Sequence, residues 1–229
     1  MYNEKINNIL VVASHPDDEV LGCGGTIVRH VDGGDKVFIL FLADGVTSRA
    51  NKNDEEARLM RIKAANSAST YLGAELPRFL KFPDNKMDTI PFLDVVQEVE
   101  KVISEIRPKI VYTHHIGDLN IDHQITHKAV MTAARPQPNS TIREIYSFEV
   151  LSSTGWSTPS AESFFIPNKF VDISTTLDRK LSALEFYDGE MRKFPHSRSV
   201  KSVSILAHHR GSSMGMSAAE AFKVERILD

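Results

Sequence analysis

The stretch Ile9-Leu10-Val11-Val12-Ala13-Ser14-His15-Pro16-Asp17-Asp18-Glu19 decides the fold. Its first five residues form an unbroken apolar run, as a strand needs when both of its faces are covered. The polar turn that follows leads into a helix near Val20. Val37–Ala43 (VFILFLA) and Lys109–Thr113 (KIVYT) read as strands of the same kind. Helical patterns lie between them. Residues 54–72 are rich in charge and alanine, with Gly73 placed to end the helix. Ile90–Ile106 sets Leu93, Val96, Val99, Ile103 and Ile106 at three- and four-residue spacings, and Pro108 follows its end. A further helix is expected over residues 122–134, before Arg135-Pro136.

Strands separated by helices imply parallel pairing through right-handed crossovers. The expected fold is therefore α/β: a Rossmann-like three-layer α/β/α arrangement with a mostly parallel sheet. The last third is less regular. Residues 144–150 and 170–173 read as strands, and residues 175–191 and 199–208 as helices. They are expected to form a C-terminal extension, so that residues 1–229 make one domain. Open sheets of this type place their sites at the carboxyl ends of the strands. Three polar clusters fall there: Ser14–Glu19, Asp44–Arg49, and His114–His123.

Bulk properties narrow the function. The 229 residues are 41% hydrophobic and 25% charged, as in an ordinary globular protein. A formal net charge of −3 gives no electrostatic footprint for nucleic acid or an acidic membrane surface. The opening MYNEKINNIL lacks the features of a signal peptide, and the run at Val37–Ala43 is too short to insert in a membrane. Cys23 is the single cysteine, so no intrachain disulfide forms. A cytoplasmic location is the expectation.

The chemistry is concentrated after the first strand. Acidic residues at a helix start often only cap it and complement its dipole. That reading accounts for Asp17 or Glu19 alone. It accounts poorly for His15 and Asp18 standing three apart around Pro16, whose fixed φ lets both converge on one cation. A catalytic zinc takes three protein ligands and keeps a position for water. If the strands ending at Ala13 and Thr113 are neighbours, as in the usual sheet order, His123 can reach the same ion. His127 offers a four-residue helical pair with His123, but a place on the helix surface or behind the ligands suits it better. His114 and His115 leave a strand on opposite faces. Gly22, Gly24 and Gly25 do not match a dinucleotide fingerprint, and the acidic turn repels pyrophosphate. Close packing of the first helix on the sheet is their expected use.

At these residues the sequence resembles the PIG-L (LmbE-like) family of zinc-dependent N-acetylglucosaminyl deacetylases. The motif Ala-x-His-Pro-Asp-Asp-Glu stands at Ala13–Glu19 and the later Asp-His element at Asp122-His123. The resemblance implies zinc on His15, Asp18 and His123, with Asp17 as general base. It also implies that Arg61 and Asp84 contact the sugar. Pro195-His196-Ser197-Arg198-Ser199, Arg210-Gly211 and Ala219-Glu220-Ala221-Phe222 look like family elements as well. Two positions depart from the pattern: Asn120 stands where some relatives have histidine, and Asp118 where some have an oxyanion-stabilising tyrosine. His196 is the candidate replacement, with His209 behind it.

The expected reaction is metal-assisted hydrolysis of an acetamide on an N-acetylated amino sugar or conjugate. Zinc is the expected ion, although two histidines and an aspartate accept other divalent metals. A related metal amidase acting on a thiol-glycoside or natural-product conjugate is the nearest alternative. A non-catalytic sugar-binding or interaction protein is another, which the retained Asp17 disfavours. The resemblance further implies homo-oligomers, trimers or hexamers. Two loops that bear on substrate choice, Thr47–Asp54 and Ser152–Ile166, carry no signature. The second holds Trp156, Phe164 and Phe165, suited either to a sugar ring or to an oligomer contact.

Overall fold

The computed structural model describes residues 6–43 and 54–229. The cluster at Asp44–Arg49 and most of the Thr47–Asp54 loop lie outside the described residues. In chain order the elements are β1 (Asn8–Ala13), α1 (Asp18–Asp32), β2 (Lys36–Ala43), α2 (Asp54–Leu72), β3 (Arg78–Phe82), α3 (Phe92–Ile106), β4 (Ile110–His114) and α4 (Ile121–Ala133). They continue with β5 (Glu144–Phe148), β6 (Lys169–Asp172), α5 (Leu177–Leu184), α6 (Val200–Ser212) and β7 (Ala219–Ile227).

All these strands join one seven-stranded sheet in the order β3-β2-β1-β4-β5-β7-β6. β1 through β5 pair in parallel, and β7 runs antiparallel between β5 and β6. The sheet separates two apolar layers because alternate residues of β1 point to opposite faces. Ile9 and Val11 pack with α1, α2, α5 and α6, while Leu10 and Val12 pack with α3 and α4. The α/β/α arrangement expected from the alternation is thus present, and β1 and β4 are neighbours. The strand order reverses at that pair, which opens the crevice where such sheets carry their sites.

The last third departs from expectation in detail. The helix anticipated over residues 175–191 ends at Leu184, continues as a short 3₁₀ turn to Tyr187, and gives way to a turn at Asp188-Gly189. Residues 219–227 add a strand that the sequence reading did not anticipate, as does Arg78–Phe82 at the sheet edge.

α1 has a feature that bears on the site. It is kinked at Cys23 (φ −146°, ψ 23°), so its second half starts afresh with exposed backbone donors. Glu220 of β7 supplies the acceptor, taking the N–H groups of Gly25 (2.9 Å) and Thr26 (2.7 Å). Lys180 of α5 neutralises it at 2.5 Å. The glycines of α1 serve close packing, as expected. A Cβ on Gly22 would lie 2.2 Å from Phe148 Cδ2, and one on Gly25 2.8 Å from Ile173 Cγ2.

Candidate metal centre

β1 ends at Ala13, and the chain turns through Ser14-His15-Pro16-Asp17 into α1. The turn is anchored on β4 and α4: Ser14 N–H donates to His114 Nε2 (2.8 Å), and Ser14 Oγ meets Thr126 Oγ1 (2.7 Å). His114 is therefore an acceptor at Nε2, and burial beside His123 holds its pKa well below the usual imidazole value. It leaves β4 inward and stacks on His123 with ring centroids 3.8 Å apart, whereas His115 turns to the Ser163 carbonyl.

His15, Asp18 and His123 converge. Their ligand atoms lie within 4.8 Å of one another and all three residues are buried. Asp18 Oδ2 is 3.3 Å from His15 Nδ1 and 3.2 Å from His123 Nε2. His123 Nε2 and Asp18 Oδ1 are buried without a hydrogen-bond partner among the described residues. Orphaned buried polar atoms are costly, so a nitrogen and a carboxylate oxygen left this way on two residues of the triad fit a cation. The electrostatics agree in sign. Burial pushes Asp18 up, but the His123 and His15 rings hold its carboxyl well below the ordinary range. Burial works against the His123 proton, yet Asp18 and Asp118 raise its pKa to about 9. The cluster attracts positive charge, which a divalent metal supplies by displacing those protons.

The far nitrogen of each histidine is held by carboxylate. His123 Nδ1 faces Asp118 Oδ2 at 3.2 Å, and Asp118 is itself fixed by Thr154 Oγ1 (2.6 Å), Ser153 Oγ (3.0 Å) and the Asn120 N–H (2.9 Å). His15 Nε2 lies 3.0 Å from both Asp84 Oδ1 and Asp122 Oδ2. Asp122 accepts the N–H groups of Asn85 and Met87, which ties the loop after β3 to the start of α4. Such partners fix the orientation and basicity of metal-binding imidazoles. Asp84 is thus in contact with His15. Asp118 and Asp122 belong to this network, though the sequence reading gave neither a role. His127 donates to the His114 carbonyl through Nδ1 at 2.8 Å, behind the ligands rather than among them.

Asp17 does not cap α1 with its side chain, so the simple capping explanation fails for it. It sits at φ 117°, an unusual conformation for a residue with a Cβ, and is 1% exposed. Burial, partly offset by Arg198 and Arg61, raises its carboxyl to about 6. Arg61 of α2 is buried, pairs with Glu190, and has no acceptor for its Nε–H among the described residues. Glu19 is outside the triad and buried, accepting from Tyr187 Oη (2.6 Å) and the Asp17 N–H (3.0 Å). His196 stands apart: exposed, it accepts the Arg198 N–H through Nδ1 and meets Trp156 edge-on at 5.6 Å. His209 is exposed near the end of α6. The basic group that reaches Asp17 from this segment is Arg198, two residues on from His196, with Nη1 3.1 Å from Asp17 Oδ2. Only the family-like element at Pro195–Ser199 marked its neighbourhood in the sequence.

A mostly parallel sheet with two histidines and an aspartate gathered where β1 and β4 end defines an α/β protein of the Rossmann-like class with a candidate metal site. The chain belongs to the PIG-L family, described as GlcNAc-PI de-N-acetylase, whose model matches residues 10–134. It is 28% identical over 210 residues to the diacetylchitobiose deacetylase of Thermococcus kodakarensis, covering 82% of this chain and 73% of that one. Its fold resembles the N,N'-diacetylchitobiose deacetylase of Pyrococcus horikoshii, with a TM-score of 0.78 at 20% identity over 97% of this chain and 85% of the other. It equally resembles GalB, the 4-carboxy-2-hydroxymuconate hydratase of Pseudomonas putida, with a TM-score of 0.78 at 19% identity over 98% and 99% of the two chains. One fold thus serves a deacetylase and a hydratase, and function has to be argued from the site. No helix among the described residues is long and apolar enough to cross a membrane.

Proposed function

We propose that the protein is an N-deacetylase that hydrolyses the acetamide of an N-acetylated amino sugar or sugar conjugate. The observation that carries this reading is the buried His15–Asp18–His123 triad beside an Asp17 oxygen that has no partner among the described residues. The 28% identity to a diacetylchitobiose deacetylase supports the substrate class. His15, Asp18 and His123 are the residues that would hold the metal, and zinc is the proposed ion. A metal bound there supplies Lewis acidity, polarising the acyl oxygen and lowering the pKa of water toward about 7.

The chain's own residues do the rest. Asp17, not a ligand in this assignment, takes a proton from the attacking water as the new carbon–oxygen bond forms. It then returns that proton to the nitrogen as the carbon–nitrogen bond breaks, giving acetate and a free amine. Asp118, Asp84 and Asp122 keep the two imidazoles oriented. Arg61, whose buried Nε–H has no acceptor among the described residues, is assigned to the sugar, while Asp84 is assigned to His15 in the first place. His196 is not assigned a step. The whole chain is taken as one domain, since β1 through β7 share one sheet, and as a homo-oligomer, trimeric or hexameric.

Metal analysis and acetate release from N-acetylglucosamine and diacetylchitobiose test the reading on one preparation. Asp17→Asn should retain the metal and lose roughly 10²–10⁴ in rate. Full activity in that variant removes Asp17 as the base. A folded, active protein that binds no divalent metal removes the mechanism altogether.

A further inference from the structure

Asp17 has two carboxylate oxygens in different situations. Oδ2 accepts from Arg198 Nη1 at 3.1 Å, while Oδ1 is buried and has no partner among the described residues. The backbone beneath is constrained by Pro16 on one side and by α1 on the other. Among the described residues, the side-chain donor that reaches the Asp17 carboxylate is this guanidinium.

That guanidinium is held on its other edge as well. Arg198 Nε donates to Ser152 Oγ at 3.0 Å, from a buried serine at φ 82° in the turn beyond β5. The Arg198 backbone is fixed by its N–H to His196 Nδ1 (3.0 Å), and the next residue, Ser199, caps α6 by accepting the Ser202 N–H (3.0 Å). Nη2 lies 3.9 Å from Asp18 Oδ1, an ion-pair contact longer than a hydrogen bond, so the direct hydrogen bonds of the guanidinium go to Asp17 and Ser152. A planar fork with separate edges for Ser152 and Asp17 suits arginine, and a lysine ammonium cannot reproduce both contacts.

We propose that Arg198 is a positioning residue for the reaction: it clamps Asp17 Oδ2 against Ser152 and so presents Oδ1 as the oxygen that exchanges the proton with water and with the leaving amine. This rests on the deacetylase reading above. Arg198 acts through Asp17 and not on the substrate, which distinguishes it from Arg61.

The test is a double-mutant cycle of Arg198→Gln and Asp17→Asn, with metal content, kcat and KM measured on the metal-loaded protein. Arg198→Gln should keep its metal and change KM by less than about threefold, yet lose roughly 10² in kcat, the scale of a misplaced catalytic group. In the Asp17→Asn background the same substitution should change kcat by less than about twofold, because the group it positions is already gone. Added guanidinium should restore part of the rate of Arg198→Ala. Losses that multiply across the cycle, or that fall on KM, would show Arg198 acting on substrate and overturn the proposal. Unchanged kcat in Arg198→Gln overturns it too. Should that variant not fold, Ser152→Ala removes only the hydroxyl that holds Nε. A smaller kcat loss, absent with Asp17→Asn, supports the clamp, and no loss overturns it. Wild-type protein that binds metal but releases no acetate from any of the N-acetyl sugars removes the functional reading itself, and this inference with it.

Discussion

Replacing Glu220 should unseat the helix that carries the metal turn. Its carboxylate accepts the N–H groups of Gly25 and Thr26 and the Lys180 ammonium, which is itself 3% exposed. Glu220→Gln keeps the shape and one carbonyl acceptor for the α1 backbone. It leaves the Lys180 charge buried with Leu21 O, at 2.9 Å, as its remaining acceptor. Breaking a buried pair on one side costs about 3–5 kcal/mol, because the surviving charge is uncompensated. A backbone N–H left unpaired adds about 1–3 kcal/mol. These terms overlap, so a loss of about 4 kcal/mol is expected, a large share of a domain's typical 5–15 kcal/mol. Lys180→Met with Glu220→Gln removes the stranded charge, and this double variant should be more stable than Glu220→Gln alone. Urea unfolding followed by circular dichroism, at one fixed metal concentration, reads both. A cost below about 1 kcal/mol for Glu220→Gln, or a double variant less stable than the single, would refute the reasoning.

Three further outcomes follow from the same contacts. Asp118→Asn should weaken zinc binding roughly 10- to 100-fold while leaving the fold intact, since it removes the charge behind His123 Nδ1; titration against a competing chelator reads this, and an affinity within about twofold of wild type argues against it. Gly22→Ala would drive its Cβ to 2.2 Å from the fully buried Phe148 ring, so a loss of about 1–3 kcal/mol and a melting point several degrees lower are expected in thermal unfolding. Burial raises Glu19 from 4.5 to about 8, although Tyr187 pulls it the other way. The folded state therefore keeps a proton that the unfolded chain has lost, and this contribution is full below pH 4.5 and disappears as pH rises toward 8. In the metal-free protein, stability should fall across that window with a slope of up to about 1.36 kcal/mol per pH unit. Glu19→Gln should flatten the curve, and identical pH profiles for the two proteins would show that Glu19 is not the group responsible.

The C-terminal third contributes directly to the candidate site. Residues 10–134 carry the metal triad and match the family model, yet the groups that brace it come from beyond. Ser153 and Thr154 hold Asp118, Tyr187 holds Glu19, Glu190 pairs with Arg61, and Arg198 meets Asp17. Glu220 of β7 completes α1 by accepting from Gly25 and Thr26.

The apolar runs of β1, β2 and β4 were legible in the sequence because burial on both faces of a parallel strand leaves an uninterrupted local signal. The pair His15 and Asp18 was legible for a similar reason, since three residues around a proline set their own geometry. β7 was not. Ala219-Glu220-Ala221-Phe222-Lys223-Val224-Glu225-Arg226-Ile227 is rich in helix formers, and its pairing with both β5 and β6 overrides that preference. The edge strand β3, with Arg78 and Lys81 breaking its apolar pattern, was hidden by the charges that protect an edge. The candidate His196 and the structural partner Arg198 show the same limit at the site. Both lie in one short motif, and no local periodicity tells which side chain turns inward. That choice depends on an Asp17 partner 181 residues away, which only the assembled sheet and its helices bring within hydrogen-bond distance. The sequence by itself determined the layered α/β class and the turn that carries the candidate ligands His15 and Asp18, whose causes are local. The tertiary structure decided which carboxylates brace the histidines and which cation meets Asp17, because those contacts exist only once distant segments are packed together.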